Sequence, residues 1–363
     1  MKKLWMLLIA LALLVTAVPM FASDVTFSGR MIWAANYDDG DAASGLVRFR
    51  PKLTAKVDDF NTLVAEFRAE GWNVVDAVVP TAIWTGVRVR DLYLTTDVTG
   101  ALGLDLPVTI KTTFGQFEPG FTDWGYVSES GWENYFGLPF GDWNNFLADY
   151  GPLDKQMTAQ VDIGFGPAAF HVYSDFLGFM MFGLSGGFGP VTGWVTYQAP
   201  IQLGGVANYG ATFGEGILGV EAKYTAEFGD IKLGVPVFFR YSLFDMAPFE
   251  NFTYGVGASV DYTMFHVAAG LEGDEVDALD NVVIDVGVKP LEALQLKANT
   301  YLNLAEAATS VLAGVDIQAN YMLGAAKFMV GYVIGGDDLI PIPINGDTFK
   351  ITNGLYMAVD ISF

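Results

Sequence analysis

The sequence predicts an all-β fold: a transmembrane, antiparallel, up-and-down β-barrel of 18 strands, or 16 if its weakest segment drops out. Three observations carry this reading. The last ten residues alternate strictly, with Leu355, Met357, Val359, Ile361 and Phe363 apolar and Gly354, Tyr356, Ala358, Asp360 and Ser362 between them, which is the period of a strand with one greasy face. A mean hydropathy of +0.35 with 14% aromatic residues coexists with a net charge of -22, and a barrel reconciles the two by turning apolar residues to lipid and charges to lumen and loops. Beyond the N-terminal segment, no apolar run approaches the roughly 20 residues that a spanning helix needs. A strand that faces lipid must leave no unpaired edge, so the last strand is expected to close on the first.

The chain opens with Lys2 and Lys3, an apolar run from Leu4 to Val18, and Pro19-Met20-Phe21-Ala22 before Ser23. This has the form of a secretory signal peptide over residues 1–22, which leaves 23–363 as one barrel domain. Removing Lys2 and Lys3 leaves 17 basic residues against 41 acidic ones, a net of -24. Such a surface repels phosphates and argues against a nucleic-acid partner. There is no cysteine, hence no disulfide framework, lipid-anchor cysteine or thiolate metal site.

The first strand, Val25 to Tyr37, turns Val25, Phe27, Met31, Trp33 and Tyr37 outward and Thr26, Ser28, Arg30 and Asn36 inward. The second places Val47, Phe49, Leu53 and Val57 outward and four cations, Arg48, Arg50, Lys52 and Lys56, inward, with Pro51 predicting a bulge. In the third, Leu63, Ala65, Phe67 and Ala69 oppose Glu66, Arg68 and Glu70. The fourth changes phase: Val87 and Val89 alternate with Arg88 and Arg90, but Leu92 and Leu94 share parity with the arginines. A bulge near Asp91 restores the pattern, and without it two arginines would meet lipid at about 2 to 4 kcal/mol each. The fifth strand, Val108 to Gln116, turns Thr109, Lys111 and Thr113 inward.

Alternation then lapses from Glu118 to Asp154 and resumes at Gln156. Gly164-Phe165-Gly166-Pro167 returns as Gly187-Phe188-Gly189-Pro190, with Phe228-Gly229-Asp230 a third relative; each closes a strand on an aromatic residue before a tight turn. Nine further strands run from Thr192 to Ile334 ahead of the last, and Phe176 to Gly187 is the segment on which the count of 18 or 16 depends. The interrupted stretch holds the acids Glu118, Asp123, Glu129, Glu133, Asp142, Asp149 and Asp154, ten aromatics and no Lys or Arg. Connections of this length are usually functional. An acidic loop thus follows a wall whose inward cations are Arg30, Arg48, Arg50, Lys52, Lys56, Arg68, Arg88, Arg90 and Lys111.

On these residues the chain resembles the general porins of bacterial outer membranes, in which the third external loop, between strands five and six, folds into the lumen with acids facing wall arginines. Gln116-Phe117-Glu118-Pro119-Gly120 resembles the lead into that loop, and Leu138-Pro139-Phe140-Gly141-Asp142 loosely matches a family motif while lacking its Glu and one Gly. The final strand ending in Phe363, with Tyr356 inside it, resembles the signal that the barrel assembly machinery reads. The resemblance implies an outer-membrane location among lipids, export by signal peptide, a homotrimer, and passive diffusion of small hydrophilic solutes and ions. Its constriction would be built from Glu118, Asp123, Glu129, Glu133, Asp142 and Asp149 against the basic wall. With excess acid at the mouths, weak cation selectivity is expected. A substrate-specific sugar channel and, third, a non-conducting adhesin or structural barrel are the alternatives.

His171 and His266 are the only histidines, too few and too separate to predict a metal site, and no cofactor is expected. His171 and Asp175 lie four apart on one strand face, and Ser185 or Ser259 could complete a hydrolytic set. No zinc-protease or phosphate-loop motif accompanies them, and the chain reads as a non-enzyme.

Overall fold

The computed structural model describes residues 24–38, 43–75, 80–117, 157–175, 179–200, 217–243, 252–275, 279, 281–304, 311–335, 340–343, 348–351 and 353–363. The first five strands are β1 (Asp24–Asp38), β2 (Ala43–Lys56), β3 (Asn61–Val75), β4 (Pro80–Asp97) and β5 (Thr109–Gln116), with a one-turn helix, α1 (Val98–Ala101), between the last two. After residues 118–156 come β6 (Met157–Phe165), β7 (Ala168–Asp175), β8 (Phe179–Phe188), β9 (Val191–Pro200), β10 (Ile217–Phe228) and β11 (Ile231–Ser242). The remaining wall strands are β12 (Phe252–Tyr262), β13 (Phe265–Asp274), β14 (Asn281–Leu291), β15 (Leu294–Asn303), β16 (Leu312–Leu323), β17 (Ala326–Gly335) and β20 (Gly354–Ser362). A separate hairpin, β18 (Ile340–Pro343) with β19 (Thr348–Ile351), sits in the connection before β20.

Eighteen strands form one sheet. Each wall strand pairs antiparallel with its neighbours in sequence, and β20 pairs with both β17 and β1, so the sheet is closed. The seam register runs from Arg30↔Ser362 to Asp38↔Gly354, as the alternating final strand predicts. β8 (Phe179–Phe188) falls in the weak segment, which fixes the count at 18 rather than 16. The β18–β19 hairpin has no counterpart in the sequence reading.

Burial is inverted relative to a water-soluble fold. Ile317 is 52% exposed and Val286 49%, whereas their neighbours Asp316 and Asp285 are 0% exposed. A soluble protein would reverse those pairs, while a barrel in hydrocarbon requires them. Among the described residues no helix is long and apolar enough to cross a membrane; the crossing is made by strands. Phe165, Phe188 and Phe228 project at the ends of β6, β8 and β10 that carry the tight turns. Near the opposite rim Phe239, Tyr241, Phe252 and Tyr254 form a run of rings with centroids 6.0 to 6.5 Å apart. These two levels have the form of interfacial aromatic girdles.

The phase change in β4 is resolved where the sequence placed it. The β3–β4 register shifts between Glu66↔Asp91 and Phe67↔Val89, leaving Arg90 as the extra residue, and Val87, Val89, Leu92 and Leu94 all emerge exposed. Pro51 behaves differently from expectation. Gly29 pairs with Pro51 without a register shift, and the β2–β3 ladder skips Arg50 and Pro51 but resumes in the same register at Lys52↔Glu66. The missing N–H of proline therefore costs a gap in one ladder and adds no residue.

The seam is locked on both faces. Inside, Arg30 donates from Nε to Asp360 Oδ1 at 2.8 Å and from Nη2 to Oδ2 at 2.9 Å, the bidentate geometry of the strong guanidinium–carboxylate pair. Outside, Gly29 and Phe363 exchange backbone hydrogen bonds of 2.8 and 3.0 Å, and the Phe363 ring packs 5.9 Å from Phe27 and 5.8 Å from Phe49. A side chain at position 29 would meet that ring, since a Cβ would lie 2.5 Å from Phe363 Cζ.

Candidate functional site: the charged lumen

Inward parity on β1 to β4 gathers the predicted cations. Arg48 and Arg50 are buried in the wall, and the registers set Arg30 opposite Arg50 and Arg68 opposite Arg88. Like charges directly opposite in a sheet are unfavourable by a few tenths to about 1 kcal/mol per pair, so a purely structural wall would not favour this arrangement. Partial neutralisation comes from Asp360 on Arg30 and from Glu66, whose Oε1 accepts from Arg90 Nη1 at 2.9 Å. Lys52 is half-buried, on the same inward face.

The remaining two cations stand lower. Lys56 is exposed at the last residue of β2, its Nζ 3.0 Å from Asp59 Oδ1 in the following turn, and Lys111 lies exposed near the start of β5. Lys56 and Lys111 thus stand near the rim that carries the tight turns, apart from the arginines higher on β1 to β4.

The far wall carries carboxylates that the sequence reading did not single out. Glu221 on β10, Glu272 on β13, Asp285 on β14 and Asp316 on β16 are all buried. Asp316 accepts from Tyr356 Oη at 2.7 Å, from Asn299 Nδ2 at 3.2 Å and from Gln318 Nε2 at 3.3 Å, and Asp285 pairs with Lys297. The signal was present as parity: Asp316, Gln318 and Asn320 alternate with Val315, Ile317 and Ala319, and the same alternation that marked the basic wall marks this one.

A third sector, on β4 to β9, is aromatic. Phe117 is buried against Tyr173 and Met181, with Tyr93 and Trp194 packed on them. Phe117 immediately follows β5, and two residues earlier Gly115 adopts φ +135, where a Cβ would fall 2.2 Å from the Leu92 carbonyl oxygen. Only glycine tolerates that conformation and that contact. Thr158 Oγ1 caps the bend by donating to the Gly115 carbonyl at 2.9 Å. Phe117 thus packs on the inward side of the wall at the end of β5. The loop acids Glu118, Asp123, Glu129, Glu133, Asp142 and Asp149 lie outside the described residues.

A closed wall with a lipid-compatible exterior and a charged interior defines a channel-forming barrel of an outer membrane. A family profile described as Gram-negative porin matches residues 8–350, and the chain belongs to that family. Among solved structures, a triple mutant of Rh. blastica porin aligns over 94% of this chain and 100% of its own at TM-score 0.51 and 13% identity. Acinetobacter baumannii OccAB3 aligns over 93% and 98% at TM-score 0.55 and 8% identity. Pseudomonas aeruginosa OccK2 (OpdF) aligns over 94% and 98% at TM-score 0.55 and 10% identity. At these identities the likeness is one of fold. No curated protein sequence matches the chain significantly.

Proposed function

We propose that this porin is a passive diffusion channel for small hydrophilic solutes and ions, weakly cation-selective, exported by its signal peptide and assembled as a homotrimer. The observation that carries the reading is the charge layout of the wall: arginines gather on β1 to β4, and buried acids lie on strands from β10 to β16. Opposed charges across a narrow wet gap orient polar solutes and penalise apolar ones that must shed hydration. The inward packing of Phe117 supports a loop over residues 118–154 that enters this gap. Its acids would add to those of the far wall. Within a Debye length of about 8 Å at physiological salt, opposed pairs compensate, and the excess acid biases ion flow toward cations.

A sugar-specific channel is the second reading, favoured by the lumenal rings of Tyr93, Phe117, Tyr173 and Trp194, since aromatic faces stack on the apolar faces of sugars. Liposome swelling with sugars of graded size separates the two. A smooth fall of rate with size supports a sieve, and saturation by one sugar supports a binding site. Absence of swelling with every sugar removes both and leaves the structural barrel.

A further inference from the structure

Three neighbouring strands bring Asp162, His171 and Ser185 together inside the wall. The register pairs Asp162 with His171 across β6 and β7, and β7–β8 pairs Ala169 with Ser185, one diagonal step from His171. All three side chains have inward parity, shared with Gln160 and Tyr173. His171 Nδ1 lies 2.7 Å from Asp162 Oδ1, and His171 Nε2 lies 2.8 Å from Ser185 Oγ. The carboxylate can only accept, so Nδ1 carries the proton and donates to it, which leaves Nε2 as the acceptor for the serine hydroxyl. That is the tautomer in which an imidazole removes a serine proton.

The trio is held from outside. Gln160 donates from Nε2 to Asp162 Oδ1 at 2.8 Å, fixing the carboxylate, and the Trp194 ring lies 5.7 Å from the imidazole at 31°, limiting its rotation. Gly183 and Gly187 flank Ser185 on β8 and Ala169 faces it from β7, while Trp194 is its partner on β9. His171 is 8% exposed, so the base is shielded while the serine is only half-buried.

His266 has the same contact, with Asp261 Oδ1 2.7 Å from its Nδ1, so what sets His171 apart is the serine hydroxyl at its other ring nitrogen. We infer that Ser185 is an activated nucleophile, with His171 as its general base and Asp162 as positioning residue, and that small activated esters or phosphonyl electrophiles diffusing through the lumen modify it covalently. With an ester, Ser185 Oγ attacks the carbonyl carbon and its proton passes to His171 Nε2. The C–O bond to the leaving group then breaks, and His171 returns the proton to the departing alkoxide, releasing an alcohol. With a phosphonyl fluoride, Oγ attacks phosphorus, the P–F bond breaks, fluoride leaves, and the proton taken by His171 is lost to water.

The geometry also limits the outcome. The β6 to β9 ladders tie up the backbone amides around the trio in interstrand pairing, so among the described residues no preformed pair of N–H groups faces Ser185. Each missing oxyanion donor lowers the rate by about a hundred- to a thousandfold. The site is accordingly one of stoichiometric modification, not of rapid turnover, which is compatible with a channel family.

The test is labelling of the folded, conducting barrel with a small fluorophosphonate, followed by intact mass and peptide mapping. The expected result is one adduct per chain, on the peptide containing Ser185. Ser185→Ala should abolish it, and His171→Gln should lower the rate by about a hundredfold or more, with heat-modifiable migration confirming that each variant is folded. Asp162→Asn keeps the size of the carboxylate and serves as the second variant if His171→Gln does not fold. It should slow labelling while leaving the labelled position unchanged. A conducting wild-type barrel that takes no label, label scattered over several serines, or an unchanged rate in folded His171→Gln or Asp162→Asn would each overturn the inference. None of these results bears on diffusion through the pore, which liposome swelling reads separately.

Discussion

Substituting Gly331 by alanine should destabilise the barrel more than its one added methyl suggests. Tyr356 on β20 lies across Gly331 on β17, its register partner, and a Cβ at position 331 would stand 2.3 Å from both Cζ and Oη of the ring. Ordinary van der Waals contact begins at 3.4 Å, so the ring must retreat by about 1 Å, an overpacking that costs about 1 to 3 kcal/mol. It cannot swing away freely, because Tyr356 is 1% exposed and its hydroxyl is held by Asp316 at 2.7 Å. Losing a hydrogen bond to a charged acceptor adds about 1.5 to 3 kcal/mol. The expected total for Gly331→Ala is about 2.5 to 6 kcal/mol, against about 1.5 to 3 for Tyr356→Phe, which loses the hydrogen bond alone. In the Tyr356→Phe background the alanine should cost less than in wild type, because the hydrogen bond is already gone. The assay is urea-dependent folding into lipid vesicles, followed by tryptophan fluorescence and heat-modifiable migration. Gly331→Ala within about 0.5 kcal/mol of wild type, or strictly additive single variants, would refute the reasoning.

Other expectations concern the seam, the turns and assembly. Asp360→Asn leaves Arg30 without its bidentate acceptor and should lower the unfolding midpoint of the barrel by the equivalent of about 2 kcal/mol or more in the same titration; an unshifted midpoint would mean the pair contributes nothing to closure. Deleting Phe363 should impair outer-membrane assembly with little effect on export, and normal levels of heat-modifiable barrel would count against its role. In the turn after β2, Asp58 accepts from the Asn61 side chain and from the amides of Phe60 and Asn61. Chiefly through the Asn61 side chain, its pKa is held below the usual carboxylate value. Since the folded value is depressed, the contribution of this turn is present above the ordinary carboxylate range near 4 and is lost as pH falls through the lowered pKa. The amide shifts of Phe60 and Asn61 should therefore titrate with a midpoint below that of a free aspartate; a midpoint at or above it would show that the carboxylate is not held.

How much was legible follows from which features have a period. Alternation located the wall strands and, through the clash between Arg88 and Leu92, the bulge at Arg90–Asp91, because a lipid-facing arginine is too costly to ignore. Pro51 misled because its missing N–H marks where a ladder bond cannot form and says nothing about whether the neighbouring strand adds a residue. The acids of β10 to β16 have the same period as the basic residues, but single carboxylates spread over separate strands do not form the dense local cluster that makes the arginines and the loop acids stand out in sequence. The partnership of His171 with Asp162 had no local signal. Nine residues separate them in sequence, and only the hairpin register at Gly166–Pro167 brings them face to face, whereas Asp175 shares a strand face with His171 and was for that reason the visible candidate.

The most direct test of the channel reading is the reversal potential of single channels in a planar bilayer under a potassium chloride gradient. The expected record shows steady ohmic steps, a potential displaced slightly toward that of potassium, fading as salt rises, and a larger displacement when Arg48, Arg50 and Arg68 are neutralised together. A barrel without steady steps, a wild type that prefers chloride, or a potential unmoved by the three substitutions would contradict it.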